Sequence, residues 1–412
     1  MLLKISCKYV PYALLFCILL FIPNSSFSKN LKITSWANFQ SGKPFLNSKY
    51  QNSFLNDTSG IQIINDNHNL ATNFTLNINN DQLLFDNSYL EYKNTNVILG
   101  IGKINRNWSF SPNTSLILSQ NARPSDSIYF TLKNENRIKD GLLSLIGPWS
   151  FEAFNSILSN SKGPDNSMLL GMRVIIEPLA NLEFEIVKTS QWGGKGQSQG
   201  LSALSSAIFG DTNEKKNSYI NQLAGVGFNF STNVNKLPVN IYGQLIGEDE
   251  AGYLPSCKMH MIGSQLKFLN NKFFSNVGLE LADTRIQYGT ANDNCGPNSA
   301  YNNAIYSYTN YGTSMGAPFD TEGKSIYLWG STKLSEKSKI NYSIKHILVN
   351  DTGWVSHRLS SSRQEGNVAT LGASWQIKSL NIKTDLSYQN FSLEKINSHS
   401  GISIGFNSTI DF

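Results

Sequence analysis

The last twelve residues of the chain, GISIGFNSTIDF, alternate in character: Ile402, Ile404, Phe406, Ile410 and Phe412 share one side, and Ser403, Gly405, Asn407, Thr409 and Asp411 share the other. Successive side chains of a strand point to opposite faces, so this segment reads as a strand with one apolar and one wet face. The same period of two recurs in paired segments from about residue 165 onward. SMLLGMRVIIE and NLEFEIVK flank Pro178-Leu179-Ala180, and LAGVGFNFST and LPVNIYGQLIG flank Asn233-Val234-Asn235-Lys236. KMHMIGSQLKF and FFSNVGLELADTRI flank Leu269-Asn270-Asn271-Lys272, and SIYLWGSTKL and KINYSIKHILV flank Ser335-Glu336-Lys337-Ser338. NVATLGASWQI and LNIKTDLSYQNF flank Lys378-Ser379, and the terminal segment brings this half to eleven strands.

The connections sort by parity. Every second one is a tight turn, and the intervening ones are long: 190–220, 247–257, 287–324, 350–366 and 392–400. Tight turns at one end and long loops at the other are the layout of an outer-membrane β-barrel, whereas a β-sandwich has no reason to sort its loops in this way. In the first half KITSWANFQSG, NFTLNIN, LLFDNSYLEY, NVILGIGK, DSIYFTLKN and a stretch of 141–157 around GPWSFEAF read as strands, for a total of 16–18. The expected fold is therefore all-β, a transmembrane antiparallel barrel occupying residues 29–412 as one domain.

The beginning of the chain supports export. Lys4 and Lys8 precede an apolar run from Tyr9 to Ile22, and Ser26 and Ser28 are placed for cleavage before Lys29, so residues 1–28 read as a signal peptide. The run is shorter than the roughly 20 residues of a spanning helix, and no later window is long and apolar enough to be one. Cys7 and Cys17 leave with the signal, which makes Cys257 and Cys295 a pair in an oxidising compartment. Both fall on the long-loop side of the barrel, in neighbouring loops, and are a disulfide candidate. The formal charge of +5 falls by two when the signal is removed, and no basic block is present, so nucleic acid is not an expected partner. Few charges (15%) and many aromatics (11%) suit a polar lumen and an aromatic girdle.

Catalytic signatures are sparse. His68, His260, His346, His357 and His399 form no metal-protease or serine-hydrolase motif, and His357, beside Arg358 and Ser360, reads with His399 as a solvated loop histidine. Glu248, Asp249 and Glu250 form an acidic cluster at a strand end, which could act on a glycoside, bind a cation or sugar hydroxyls, or meet lumen arginines such as Arg173 or Arg285 in a plug network. QWGGKGQSQG is neither a phosphate loop nor a dinucleotide fingerprint; it reads as a turn-rich loop or as an inward-folded one presenting Trp192 for stacking. GPNSAYNNAIYSYTNYG carries Tyr301, Tyr306, Tyr308 and Tyr311 among Asn and Ser, which suits sugar binding and loop packing equally. No cofactor and no metal site is expected.

In order along the chain, NTSLILSQNARP (113–124, ending in Arg123-Pro124), GPWSFEAF (147–154), KTSQWGGKG (188–196), VNIYGQLIGEDE (239–250) and YNNAIYSYTNYGTSMGAPF (301–319) resemble the Wzi-type capsule assembly family. The resemblance implies an outer-membrane barrel of 18 strands with its lumen obstructed by inward-folded loops. It also implies a lectin-like role, non-catalytic, holding exported capsular or other surface polysaccharide on a Gram-negative cell. Partners would be that polysaccharide, outer-membrane lipid and, during biogenesis, the barrel assembly machinery. Trp192, Glu248, Asp249, Glu250, Tyr301, Tyr306 and Arg123 are the candidates for glycan binding or for a lumen network. Family members carry a small helical bundle before the barrel, which the run from residue 29 straight into LKITSWANFQSG does not accommodate. A porin-like channel for small solutes and a surface glycan hydrolase using Glu248 and Glu250 are the competing expectations.

Overall fold

The computed structural model describes residues 31–45, 58–67, 69–79, 82–137, 141–159, 163–209, 219–251, 254–270, 273–286 and 295–412, without the side chains of 142, 143, 249–251, 254, 255, 269 and 270. The expected signal segment, residues 1–28, lies outside the described residues. The strands are β1 (Leu31–Gln40), β2 (Thr58–Asn67), β3 (Leu70–Asn79), β4 in two pieces (Gln82–Leu84 and Tyr89–Lys93), β5 (Val97–Lys103), β6 (Asp126–Asn134), β7 (Trp149–Ile157), β8 (Met168–Leu179) and β9 (Leu182–Trp192). They continue as β10 (Asn221–Val234), β11 (Leu237–Ala251), β12 (Leu254–Asn270), β13 (Phe273–Asp283), β14 (Lys324–Ser335), β15 (Ser338–Val349), β16 (Gln364–Ile377), β17 (Leu380–Gln389) and β18 (Gly401–Asp411). Each pairs antiparallel with the next, both pieces of β4 pair with β3, and β18 returns to β1, so eighteen strands close into a barrel. Closure leaves no sheet edge without partners, the condition for backbone to cross lipid.

The alternation seen in the sequence sorts the two faces. Ile402, Ile404 and Phe406 point away from the barrel, as do Ile128 and Ile186, at 68% and 61% exposure. Their neighbours on the other face, such as Ser403, Ser127, Glu185 and Thr189, are buried. This is an apolar belt around a polar lumen, the arrangement that lipid outside and hydrogen-bonding groups inside demand. The chain folds its main buried cluster inside the barrel, from Trp108, Leu116, Ile117, Tyr242, Met259, Tyr301, Tyr308 and Phe319 among others.

β2 is the strand that the sequence pattern does not reveal. TSGIQIINDN places isoleucines on both faces beside Asn and Asp, so it has no clean period. The loops also differ in detail from expectation. β11 and β12 continue to Ala251 and from Leu254, so 247–257 is mostly strand rather than a long loop. At the tight-turn end one connection, 135–148, is long. It includes a single 3₁₀ turn, Leu142–Leu145, and Arg137 in it donates to the carbonyls of Glu177 and Pro178 beside the β8–β9 turn.

Candidate functional site

Between β5 and β6 the segment 104–125 enters the barrel and meets lumen-facing side chains from several strands. The Arg106 guanidinium donates to Glu152 on β7 (3.1 Å) and lies over the Phe154 ring at 4.0 Å, and the Trp108 indole N–H donates to Glu152. Gln244 on β11 accepts from the Leu116 N–H (2.8 Å) and donates to the Trp108 carbonyl (2.6 Å) and to Glu185 on β9. Ser111 donates to Glu280 on β13, which also accepts from the Tyr242 phenol. This segment has almost no secondary structure of its own, so its backbone polar groups need these side-chain partners once water is excluded. Ser115 illustrates the point: its hydroxyl donates to the Trp108 carbonyl and accepts from the Leu118 N–H.

The loop between β13 and β14 closes over this segment. Tyr301 donates to the Leu116 carbonyl (2.6 Å) and accepts from the Ala317 N–H (3.1 Å); Tyr308 donates to the Ile117 carbonyl (2.8 Å). The two rings stack with centroids 5.8 Å apart. A Cβ at Gly316 would fall 2.5 Å from the Tyr301 ring, so this position must stay glycine for the loop to settle. Burial pushes the Tyr301 phenol well up from its ordinary pKa and the Tyr306 phenol up to about 12, so both remain hydrogen-bond donors. A disulfide, with Cα atoms 5.5 Å apart, ties Cys295 of this loop to Cys257 on β12.

The 350–363 loop joins the same cap. Arg358 reaches Asp320 through two hydrogen bonds and donates to Asn302 (2.5 Å). Arg285 bridges Asp283 and Asp351, and the hydrogen bonds that it donates, to Asp283 first and then to Asp351, raise its pKa. His357 is fully buried. Its Nε2–H donates to the Thr321 carbonyl (3.0 Å) and its Nδ1 accepts from the Leu359 N–H (3.1 Å), so the ring is neutral; burial lowers its pKa. The expectation of a solvated His357 is thereby corrected: the cap folds over the ring to satisfy two backbone groups. His399 is exposed.

On the outer surface of this cap lies a groove of about 640 Å³ lined by Asn298, Asn302, Asn303, Ser307, Arg358, Trp354 and their neighbours. Asn350, in a left-handed backbone conformation, positions Trp354: its amide oxygen accepts from the Trp354 N–H and its amide nitrogen donates to the Trp354 carbonyl. Asn303 accepts from the N–H groups of Ile305 and Tyr306, which leaves its own amide donors without a partner among the described residues. Amides, hydroxyls, a guanidinium and a part-exposed indole are complementary to a ligand rich in hydroxyls with apolar ring faces. A smaller cavity of about 210 Å³ lies on the other side of Arg358, between Lys43, Ser314 and Lys395.

The residues singled out from sequence occupy three different settings. Tyr301 and Tyr306 are interior struts of the cap rather than open stacking faces; Tyr306 donates to the Gly193 carbonyl (2.9 Å). Arg123 is paired with Asp86 (2.8 Å) and lies over the Tyr311 ring, with both charges buried. Glu248 accepts from the Tyr301 N–H (3.0 Å), while the side chains of Asp249 and Glu250 lie outside the described residues. Arg173 pairs instead with Glu185, and Arg285 with Asp283 and Asp351, which corrects their expected link to the 248–250 carboxylates; nearer acceptors on adjoining strand and loop positions take them first. Trp192 points to the outer wall, not into the lumen, with its indole N–H on Asn155, so the inward-folded alternative for its loop does not hold. Trp354, Asp320 and Glu152 were missed. Trp354 had one signal, a lone aromatic in the short polar loop NDTGWVSHR. Among the described residues no group of three His, Cys, Asp or Glu side chains is placed to hold a metal.

A family model described as "Capsule assembly protein Wzi" matches residues 31–400. An uncharacterized 55.8 kDa protein in the cps region of Klebsiella pneumoniae is 30% identical over 200 residues, 48% of this chain and 40% of that protein, so the match spans two fifths of that relative. Among solved structures, Wzi of Escherichia coli, described as a carbohydrate-binding β-barrel of the outer membrane involved in group 1 capsule assembly, superposes with a TM-score of 0.76 at 22% identity, over 93% of this chain and 84% of that one. OccD3 (OpdP) of Pseudomonas aeruginosa superposes with a TM-score of 0.51 at 11% identity, over 93% and 91% of the two chains.

Proposed function

Because the chain belongs to the capsule assembly protein Wzi family and is an outer-membrane β-barrel, we propose that it holds exported surface or capsular polysaccharide on the cell by binding it, without cutting it. The observation that carries this reading is the cap groove, where Asn298, Asn302, Asn303, Ser307, Arg358 and Trp354 line one open cleft at the long-loop end of the barrel. A polysaccharide lying there would meet donors and acceptors for its hydroxyls and an indole face for a ring. The carbohydrate-binding description of the Escherichia coli protein is consistent with such a ligand. In this reading the partner is a surface polysaccharide, with outer-membrane lipid around the belt and the barrel assembly machinery during biogenesis.

The segment 104–125 and the cap favour an obstructed lumen over a porin-like channel. Their hydrogen bonds reach β7, β11 and β13 from the segment and Thr189 on β9 from Tyr308 of the cap, so a solute would have to displace a buried network rather than a few waters. A hydrolase reading has little to stand on at Glu248, whose carboxylate is engaged by the Tyr301 backbone.

Binding of the purified barrel to surface glycan extracted from the same bacterium tests the groove. Trp354→Ala should weaken binding about tenfold or more, the loss of one stacked aromatic contact of roughly 1.5 kcal/mol. Undiminished binding by that variant would remove the groove from the proposal. Deleting the gene should release glycan into the medium while its synthesis continues. Open conductance steps of porin size, or shortening of the glycan by the purified protein, would overturn the binding-only reading.

A further inference from the structure

The loop after β9 leaves the lumen and folds down the outside of the barrel. Glu185 and Thr189 on β9 face inward, where they meet Arg173 and Tyr308. The period of two therefore sends Phe184, Ile186, Lys188, Ser190 and Trp192 to the outer wall, and the β8–β9 register puts Met172 and Leu170 beside Lys188 and Ser190 on that wall. A helix, α1 (Leu201–Phe209), covers the upper part of it. Lys188 Nζ donates to the Ile208 carbonyl (3.1 Å) and Ser190 Oγ to the Ala207 carbonyl (2.8 Å). These carbonyls belong to the last turn, which a helix leaves without internal partners, and the negative end of the helix dipole favours a cation there. Ala203 and Ala207 pack with Leu170 and Trp192, their small side chains letting the helix lie close to the strands.

The depth of this contact follows from strand geometry. A rise of about 3.3 Å per residue at a tilt of about 40° gives roughly 2.5 Å along the membrane normal, so a belt of about 25 Å spans about ten residues. β9 begins at Leu182, which places Lys188 inside the belt and Trp192 at its upper edge. An ammonium at that level needs partners in place of water, and the Ile208 carbonyl of the helix is one of them. On the far side of α1, Leu201 and Phe209 stand two turns apart at 86% and 81% exposure, and the nine residues carry no charge.

We propose that α1 lies in the outer leaflet, with Leu201 and Phe209 against lipid acyl chains, as a sideways extension of the barrel's apolar belt. The belt is continuous with it: Ile186 lies just below Lys188 on the same wall, and Val226 lies beside Ile186 on β10. The contact also steadies the binding cap, because the loop that carries α1 begins at Gly193, whose carbonyl holds Tyr306.

The test places single cysteines at Leu201→Cys and Phe209→Cys, the native pair Cys257–Cys295 being already bridged. Each variant carries a bimane label and is reconstituted into dioleoylphosphatidylcholine vesicles, with or without dibrominated acyl chains; heat-modifiable mobility on gels confirms a folded barrel. Ile186→Cys marks the belt and Trp354→Cys the water-facing cap. Labels at 201 and 209 should lose fluorescence to brominated lipid as strongly as the label at 186 and resist aqueous iodide. Quenching by iodide and not by bromolipid, as at 354, would overturn the proposal. So would oxidative cross-linking of Phe209→Cys between barrels, which would mean that a second copy covers this face.

Discussion

Tyr301→Phe separates what holds the lumen segment in place from what merely fills space. The substitution keeps the ring, its stack on Tyr308 and its volume, and removes one oxygen that accepts from Ala317 and donates to Leu116. Both groups then lie in a fully buried place without that partner. Each buried polar group left unsatisfied costs about 1–2 kcal/mol, so the pair costs about 2–4 kcal/mol. Felt as local opening, this raises the open population of the segment roughly thirty- to seven-hundred-fold. Hydrogen exchange of the purified barrel, followed by mass spectrometry over peptides that contain Leu116, Ile117 and Leu118, reads that change directly. Strand peptides on the far side of the barrel, such as those of β16 and β17, should exchange as before. Unchanged exchange at 116–118 would refute the argument that the tyrosine hydroxyl locks this segment, and an equal rise everywhere would mean that Tyr301 supports the barrel rather than the cap.

Two further outcomes follow from buried charge. Asp86→Asn removes the carboxylate paired with the Arg123 guanidinium, which is buried against Tyr311, and should lower stability by up to about 3 kcal/mol; the midpoint of the heat-induced mobility shift on gels measures this, and an unmoved midpoint would count against the pair. His357 has a lowered pKa, first through burial, so the folded cap favours the neutral ring. The unfolded loop then binds more protons, and the stability that His357 contributes is present above its ordinary value of about 6.5 and is lost as pH falls through it. The opening equilibrium at 357–360, taken from hydrogen exchange after correction for the slower intrinsic exchange at lower pH, should therefore rise as pH falls from about 7 to 5 in the native chain and lose this pH dependence in His357→Gln; an identical corrected profile in both proteins would exclude the histidine as the cause.

The architecture was written along the chain because a barrel between lipid and a polar lumen imposes the same two-residue rule on every strand. GISIGFNSTIDF, the five hairpins before it and the parity of their loops are local patterns, and they were enough for all eleven strands of the second half and for the closed barrel. β2 escaped because TSGIQIINDN breaks that local rule. The order of the motifs around 113–124, 147–154 and 301–319 was equally legible and pointed to the family. What those motifs touch was not legible, since Tyr301 meets Leu116 across 185 positions and Arg123 meets Asp86 across a break in β4. A tyrosine that stacks on a sugar and one that caps a buried carbonyl look alike in sequence; only the descent of 104–125 into the lumen and the closure of the cap over it decide between them. Trp192 makes the same point from the other side. Its strand period was readable, but which face carries the lipid, and that a helix lies against it there, became fixed only when eighteen strands closed and divided inside from outside.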